Sequence, residues 1–178
     1  MTKVADLAGL TMALGDAAIV AGATTTMTAG AVIDYCINGK AHTAPAISAV
    51  QPATTDANTG VAIKGISPGY GAVIVFGYNA AESTAMQMVE SEHCKLAANA
   101  SAYHPGAFLD VPEFPKIPDD FCPVGYVVIK VATDYTAGST YVFGTSNTTA
   151  TGAQNSAATA HANTFVSIAA LPNRPQAS

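Results

Sequence analysis

The apolar residues of this chain fall in short segments of strand length, separated by glycine, proline and asparagine. The clearest case is the pair Asn38-Gly39, which lies between the β-rich segment 31–37 and the returning segment 40–43. An Asn-Gly pair in this position predicts a tight hairpin, because both turn residues tolerate positive φ. Residues 51–60 that follow are polar and predict a loop.

A second hairpin is predicted further along the chain. Residues 71–78 are continuously apolar, which indicates a buried strand, and residues 84–90 alternate between apolar and polar. The short segment 79–83 is the predicted turn between them. Further strands are expected at 61–66, 125–133, 141–144 and 164–171, with 141–144 pairing with 125–133.

Together these patterns predict about seven or eight short strands, with turn signals at intervals of roughly ten to twenty residues. Such spacing favours an all-β fold, an antiparallel β-sandwich or barrel, over alternating strands and helices. We therefore expect residues 31–178 to form a single β-domain.

The first thirty residues have a different pattern. Leu7, Leu10 and Leu14 fall at helical spacing, and Gly15 is placed to end a short helix. Residues 1–30 are therefore predicted to form either a short helix packed on the domain or an arm that reaches a neighbouring subunit. The sequence leaves both alternatives open.

Two segments of the β-domain are expected to lack regular structure. Five prolines fall between residues 105 and 123, and proline removes a backbone donor and restricts the residue before it. Residues 103–123 are therefore predicted to form an ordered strap laid over a sheet, with Gly125 opening the next strand. Residues 146–163 hold no apolar residue larger than Ala, and so predict an exposed polar loop.

The composition of the chain is unusual in its low proportion of charged residues. Charged residues make up 11% of the chain, against about 25% in ordinary soluble domains. Because surface charge keeps proteins apart, this composition favours a stable oligomer or a place in a larger assembly. The alternative is an Ala- and Thr-rich surface that needs no partner.

The few charges also bear on the class of partner. The net charge is −5, and the seven Lys and Arg residues are scattered, so neither nucleic acid nor an anionic membrane is an expected partner. Asp6 and Asp16 interrupt the N-terminal apolar stretch, which makes it a poor signal peptide. The chain is expected to be made and kept in a cytoplasm.

Candidate chemical groups are few. Asp119-Asp120 could bind a cation or act in acid–base catalysis, but Pro-Asp-Asp is more typical of a turn in which an aspartate caps the backbone. The adjacent pair His93-Cys94 has neither the spacing nor the strand geometry of a metal site. The three cysteines, Cys36, Cys94 and Cys122, are interpreted as buried free thiols.

The glycines of Gly69-Tyr70-Gly71 precede a strand, whereas a dinucleotide-binding motif follows one. They are therefore interpreted as turn residues. No catalytic, cofactor-binding or metal-binding residue is predicted, and no cofactor.

Four segments together carry a resemblance. They are YCINGKAHT at 35–43, VIVFGYNA at 73–80, IPDDFCPVGYVVIKVA at 117–132 and TFVSIAALPNRP at 164–175. The combination resembles virion structural proteins of tailed bacteriophages, in particular head decoration (capsid cement) proteins.

The resemblance implies a non-enzymatic all-β protein on the capsid surface of the virion, often a homotrimer, that binds the major capsid protein. One alternative is another virion subunit, such as a tail, fibre or adaptor protein. A carbohydrate-binding or hydrolytic β-domain is a third possibility, against which the absence of Trp counts.

Overall fold

The structure is a computed structural model, and it describes residues 10–21, 26–81, 85–97, 106–133, 140–143 and 165–167. Every regular element in these ranges is a β-strand. The strands are β1 (Met12–Ala13), β2 (Ile19–Ala21), β3 (Met27–Ala29), β4 (Ile33–Ile37), β5 (Lys40–Ala44), β6 (Ile47–Val50), β7 (Tyr70–Asn79), β8 (Gln87–Glu90), β9 (Cys94–Lys95), β10 (Phe121–Lys130) and β11 (Phe165–Ser167).

The strands form three antiparallel sheets. The main sheet has the order β11-β10-β7-β8, with β9 also paired to β7, and the two smaller sheets have the orders β1-β4-β5 and β2-β3-β6. Within the described residues none of the sheets closes on itself. The predicted antiparallel all-β fold is confirmed, in a sandwich-like rather than a barrel form, and it has more strands than expected because several are only two or three residues long.

Strand β7 explains the continuous apolar run in the sequence. Ile74 and Phe76 face the main core, which all three sheets share. Val73 and Val75 point to the opposite face, where they form a second cluster with Val89 of the neighbouring strand, and Ile117 packs against this cluster. Because both faces of β7 are buried, apolar residues are needed at every position rather than at alternate ones.

A β-bulge in β10 changes which side chains face the core. Pro123 lies opposite Gly77 and Gly125 lies opposite Phe76, so Val124 is an extra residue on this strand. The bulge lets Pro123 sit within a strand, since proline cannot donate a regular ladder hydrogen bond. The strand therefore begins at Phe121, earlier than the start at Gly125 that its prolines predict.

The helix predicted from Leu7, Leu10 and Leu14 is wrong for its described part. Residues 12 and 13 form β1, which pairs with β4, and Leu14 lies in a bend. Leu7 lies outside the described residues. Ala17 and Ile19 are buried in the main core, so tertiary pairing replaces a weak helical pattern here.

Both predicted hairpins are confirmed. In the first, β4 and β5 pair from Ile33 with Ala44 to Ile37 with Lys40, and the turn residues Asn38 and Gly39 have φ of 50° and 78°. These positive angles match the mirror-image turn that fits the twist of a hairpin. In the second hairpin β7 pairs with β8.

Two sequence predictions about pairing are wrong. Residues 61–66 form no strand; Ala62 makes an isolated bridge with Thr55, and Ile66 makes one with Tyr141. Tyr141 was expected to pair with the strand now called β10, but its N–H and C=O instead exchange hydrogen bonds of 2.9 and 2.8 Å with Ile66. Strand β11 lies within the predicted segment 164–171.

The polar segment 146–163 and residues 103–105 of the strap lie outside the described residues. Among the elements that are described, no helix is long and apolar enough to cross a membrane.

Candidate functional site

We call residues 106–120 the strap. The strap lies on the face of the main sheet that points away from the main core, the face that carries Val73 and Val75. It holds no strand or helix, and its one ladder contact is a bridge from Phe108 to Leu96. The Lys130 ammonium lies 5.0 Å from the centre of the Phe108 ring, and the Phe114 ring meets Tyr126 edge-on at 5.0 Å. The strap therefore runs back along β10 in the opposite direction before entering it.

The strap is packed closely at both of its ends. A Cβ atom at Gly71 would lie only 2.7 Å from the Phe108 ring, so the ring occupies the space that a side chain on β7 would take. Ile117 packs against the second apolar cluster, which contains Val73 and Val75. These contacts hold the strap in one position without regular hydrogen bonding.

The middle of the strap presents large apolar side chains to the outside. Leu109 is 58% exposed, Val111 is 88% exposed and Phe114 is 48% exposed. Single exposed apolar residues are common, but three within six positions concentrate exposed apolar surface on this proline-restrained segment. We call Leu109, Val111 and Phe114 the apolar edge.

A groove lies beside the apolar edge, with a volume of about 630 Å³. One wall is the strap from Val111 to Lys116. The other wall is formed by the 56–64 loop and by the chain that leaves β8. We call it the strap groove.

Asp56 holds the loop wall of the strap groove in place. Its Oδ1 accepts hydrogen bonds from the N–H groups of Asn58 (3.0 Å) and Thr59 (2.8 Å) and from the Thr59 hydroxyl (3.0 Å). Its Oδ2 accepts the N–H of Glu90 at 2.8 Å. Four donors compensate for the burial of this carboxylate, which would otherwise be costly.

Glu90 is the second buried acid of the groove, with a side chain only 6% exposed. Its Oε2 accepts the N–H of Lys64 at 3.0 Å, and its Oε1 lies 3.2 Å from Nε2 of His93. The Glu90 side chain of β8 therefore binds the 56–64 loop, just as the Asp56 side chain of the loop binds β8.

The charges along the groove are unbalanced. Its lining holds the carboxylates of Asp56, Glu90, Glu92 and Glu113, and the ammonium groups of Lys64 and Lys116. Four negative charges against two positive charges leave a net −2. A cationic group entering the groove would meet an attractive potential.

The residues singled out by the sequence lie elsewhere, apart from Cys94, which lines the groove. Asp119 and Asp120 are exposed in a turn that the N–H of Phe121 closes onto the Pro118 carbonyl at 3.1 Å. His93 contacts Glu90 rather than Cys94. In the part of the chain that is described, no group of three His, Cys, Asp or Glu residues is placed to hold a metal ion.

Cys122 is fully buried in the main core. Burial, with a smaller contribution from Cys36, raises the pKa of its thiol to about 12. The thiol therefore stays protonated at neutral pH and is a poor nucleophile. Cys36 and Cys94 are half-buried and unpaired.

The sequence did not indicate the roles of Asp56 and Glu90. Residues 51–60 were predicted only as a polar loop, although Asp-Ala-Asn-Thr-Gly carries a signal that could have been used: an aspartate followed by small polar residues and glycine favours a side-chain-capped turn. No local signal points to Glu90, because its partners are distant in sequence.

No protein-family model matches the chain, and no curated protein or solved structure is significantly similar to it.

Proposed function

We propose that this chain is a non-enzymatic decoration protein of a tailed-phage capsid, which binds the shell of major capsid protein and stabilises the head. The apolar edge of the strap is the observation that carries the proposal. Burying large apolar side chains against a partner is favourable by about 25 cal/mol for each Å² removed from water, and the strap is already held in place by its packing.

The rigidity of the strap favours binding through the apolar edge. A segment that is ordered before binding loses less conformational entropy when it docks. Proline at positions 112, 115 and 118 restricts the strap, and the contacts of Phe108 and Ile117 fix its ends. The strap is thus suited to contact a neighbour without a large ordering cost.

The rest of the surface is consistent with an assembled state. Leu14 is exposed on the bend after β1, and Val20 and Val50 are exposed on the sheet β2-β3-β6. The low proportion of charged residues gives little repulsion between copies. We propose a homotrimer on the capsid, in which contacts between copies cover part of this surface.

The test is a binding assay with capsids that lack the protein. The purified chain is mixed with such capsids, and the amount that co-sediments is measured together with the temperature at which the capsids rupture. Binding with a raised rupture temperature supports the proposal. The double substitution Val111→Ser and Phe114→Ser should abolish binding, whereas Val32→Ser, at an exposed valine away from the strap, should retain it.

Mass measurement of the purified protein tests the trimer, and imaging of labelled particles tests the location. Signal confined to the tail would replace the head proposal with a tail, fibre or adaptor role. A monomer that does not occur in virions would overturn the virion proposal altogether.

A further inference from the structure

The strap groove is large enough to hold a ligand. Its volume of about 630 Å³ lies within the range of about 300–1,000 Å³ that is typical of ligand pockets. It is bounded along one side by an irregular segment of chain, so its shape is that of a channel open to solvent rather than a closed cavity.

The strap wall also offers unpaired backbone groups. No backbone–backbone hydrogen bond joins residues 110–117 to any other described residue. Their N–H and C=O groups, except for the nitrogens of Pro112 and Pro115, therefore have no backbone partner among the described residues, and Val111, Glu113 and Phe114 within this range are exposed. Backbone pairing with an added extended segment is a common mode of peptide recognition.

The side chains that line the groove select the occupant. Val61, Val111 and Phe114 are exposed at its margin and suit an apolar side chain. The net charge of the lining is −2, as counted above, and suits a lysine or arginine.

The expected preference of the groove for a cation depends on which of its carboxylates already have hydrogen-bond or ion-pair partners. Asp56 and Glu90 have N–H partners, whereas Glu92 and Glu113 are exposed, and no described group lies within ion-pairing distance of either carboxylate. Glu113 lies on the strap wall and Glu92 on the wall formed by the chain that leaves β8, so both carboxylates border the space that a cation would enter.

We infer that the strap groove binds an extended peptide segment in which a lysine or arginine lies next to an apolar residue. The segment is taken to belong to the shell subunit, and that part rests on the proposed function. The backbone of the strap pairs with the segment, the apolar margin takes its apolar side chain, and Glu92 and Glu113 hold its cation.

Binding of short peptides measured by fluorescence anisotropy tests the site directly. The probe is a labelled peptide of alternating valine and lysine, and the control is the same peptide with glutamate in place of lysine. We expect the lysine peptide to bind at least about tenfold more tightly, which corresponds to about 1.4 kcal/mol. Its binding should weaken as salt screens the carboxylates.

Matched variants locate the binding. The double substitution Glu92→Gln and Glu113→Gln should weaken binding of the lysine peptide about tenfold and reduce its salt dependence, by removal of two charges from the groove. The double substitution Asp119→Asn and Asp120→Asn removes the same charge outside the groove and should leave binding unchanged. Equal affinity for the two peptides, or equal effects of the two double variants, would overturn the inference.

Capsid co-sedimentation separates this inference from the proposed function. Peptide binding without capsid binding would retain the groove and reject the shell as its partner. Capsid binding that the Glu92→Gln and Glu113→Gln variant retains in full, without peptide binding, would retain decoration and reject the groove.

Discussion

The carboxylate of Asp56 accepts the backbone N–H of Glu90 at 2.8 Å, across a sequence separation of 34 residues. The same carboxylate also receives the N–H groups of Asn58 and Thr59. One side chain thus shapes a turn and fastens it to the edge of the main sheet. The carboxylate acts together with backbone hydrogen bonds to hold the loop wall of the strap groove, since the N–H of Ala57 also donates to the Met88 carbonyl at 2.8 Å.

Replacing Asp56 with alanine should lower the free energy of unfolding by about 2–4 kcal/mol, because it leaves four partly buried donors without an acceptor. Urea denaturation measures the change. Asp110→Ala, at an exposed position on the strap, is the matched control and should change stability by less than about 0.5 kcal/mol. An Asp56→Ala variant as stable as its control would contradict the role assigned to this carboxylate.

Gly77 is predicted to be intolerant of a side chain. A Cβ atom there would overlap the carbonyl oxygen of Cys122 and the ring of Phe121. Gly77→Ala should therefore destabilise the protein by about 1–3 kcal/mol, as overpacking does, and lower its melting temperature. Gly15→Ala, where nothing lies within 4 Å of the new atom, should leave the melting temperature unchanged or slightly raised. Equal melting temperatures for the two variants would argue against this packing.

The buried thiol of Cys122 predicts a loss of stability in alkali. Its pKa is raised from 9.0 to about 12, so between these values the folded state keeps a proton that the unfolded state has released. The contribution to stability is complete below pH 9 and is lost as the pH rises towards 12. Burial also raises the pKa of Tyr35 and of Tyr78, which acts in the same direction.

Urea denaturation at a series of alkaline pH values tests this prediction. Cys122→Ala should show a shallower decline of stability with pH than the parent protein. Val124→Ala, another core truncation in β10, should lower stability while keeping the parent slope. The prediction fails if Cys122→Ala and the parent decline in parallel.

Two substitutions in the strap should affect stability and binding separately. Ile117 packs on the second apolar cluster, and Ile117→Ala should cost about 1–2 kcal/mol, less than a fully buried isoleucine would. Val111 is 88% exposed, so Val111→Ala should change stability by less than about 0.5 kcal/mol while weakening capsid binding under the proposed function. Urea denaturation and co-sedimentation measure the two effects. Loss of stability without loss of binding in Val111→Ala would reverse these assignments.

Local signals in the sequence were sufficient for the hairpins. Asn38 and Gly39 adopt positive φ within their own turn, and this preference does not depend on distant residues. The apolar run of β7 likewise predicted a buried strand, and the structure buries it on both faces. By contrast, the spacing of Leu10 and Leu14 indicated a helix that the pairing of β1 with β4 overrides.

The candidate site was less accessible from the sequence. The prolines predicted an irregular segment, and the structure places its described part on the outer face of β7 and β10. The partners of that segment, such as Gly71 beneath Phe108, are distant in sequence, and no local sequence pattern near either residue indicates the contact.

The sequence by itself determined that the chain forms short antiparallel strands, where its tight turns lie and how little charge it carries. These properties follow from the backbone preferences and composition of adjacent residues. Only the tertiary structure decided that Tyr141 pairs with Ile66, that Asp56 holds Glu90 and that the strap borders a groove. Such contacts depend on which surfaces and donors remain available after the sheets have packed, and that is a property of the whole chain.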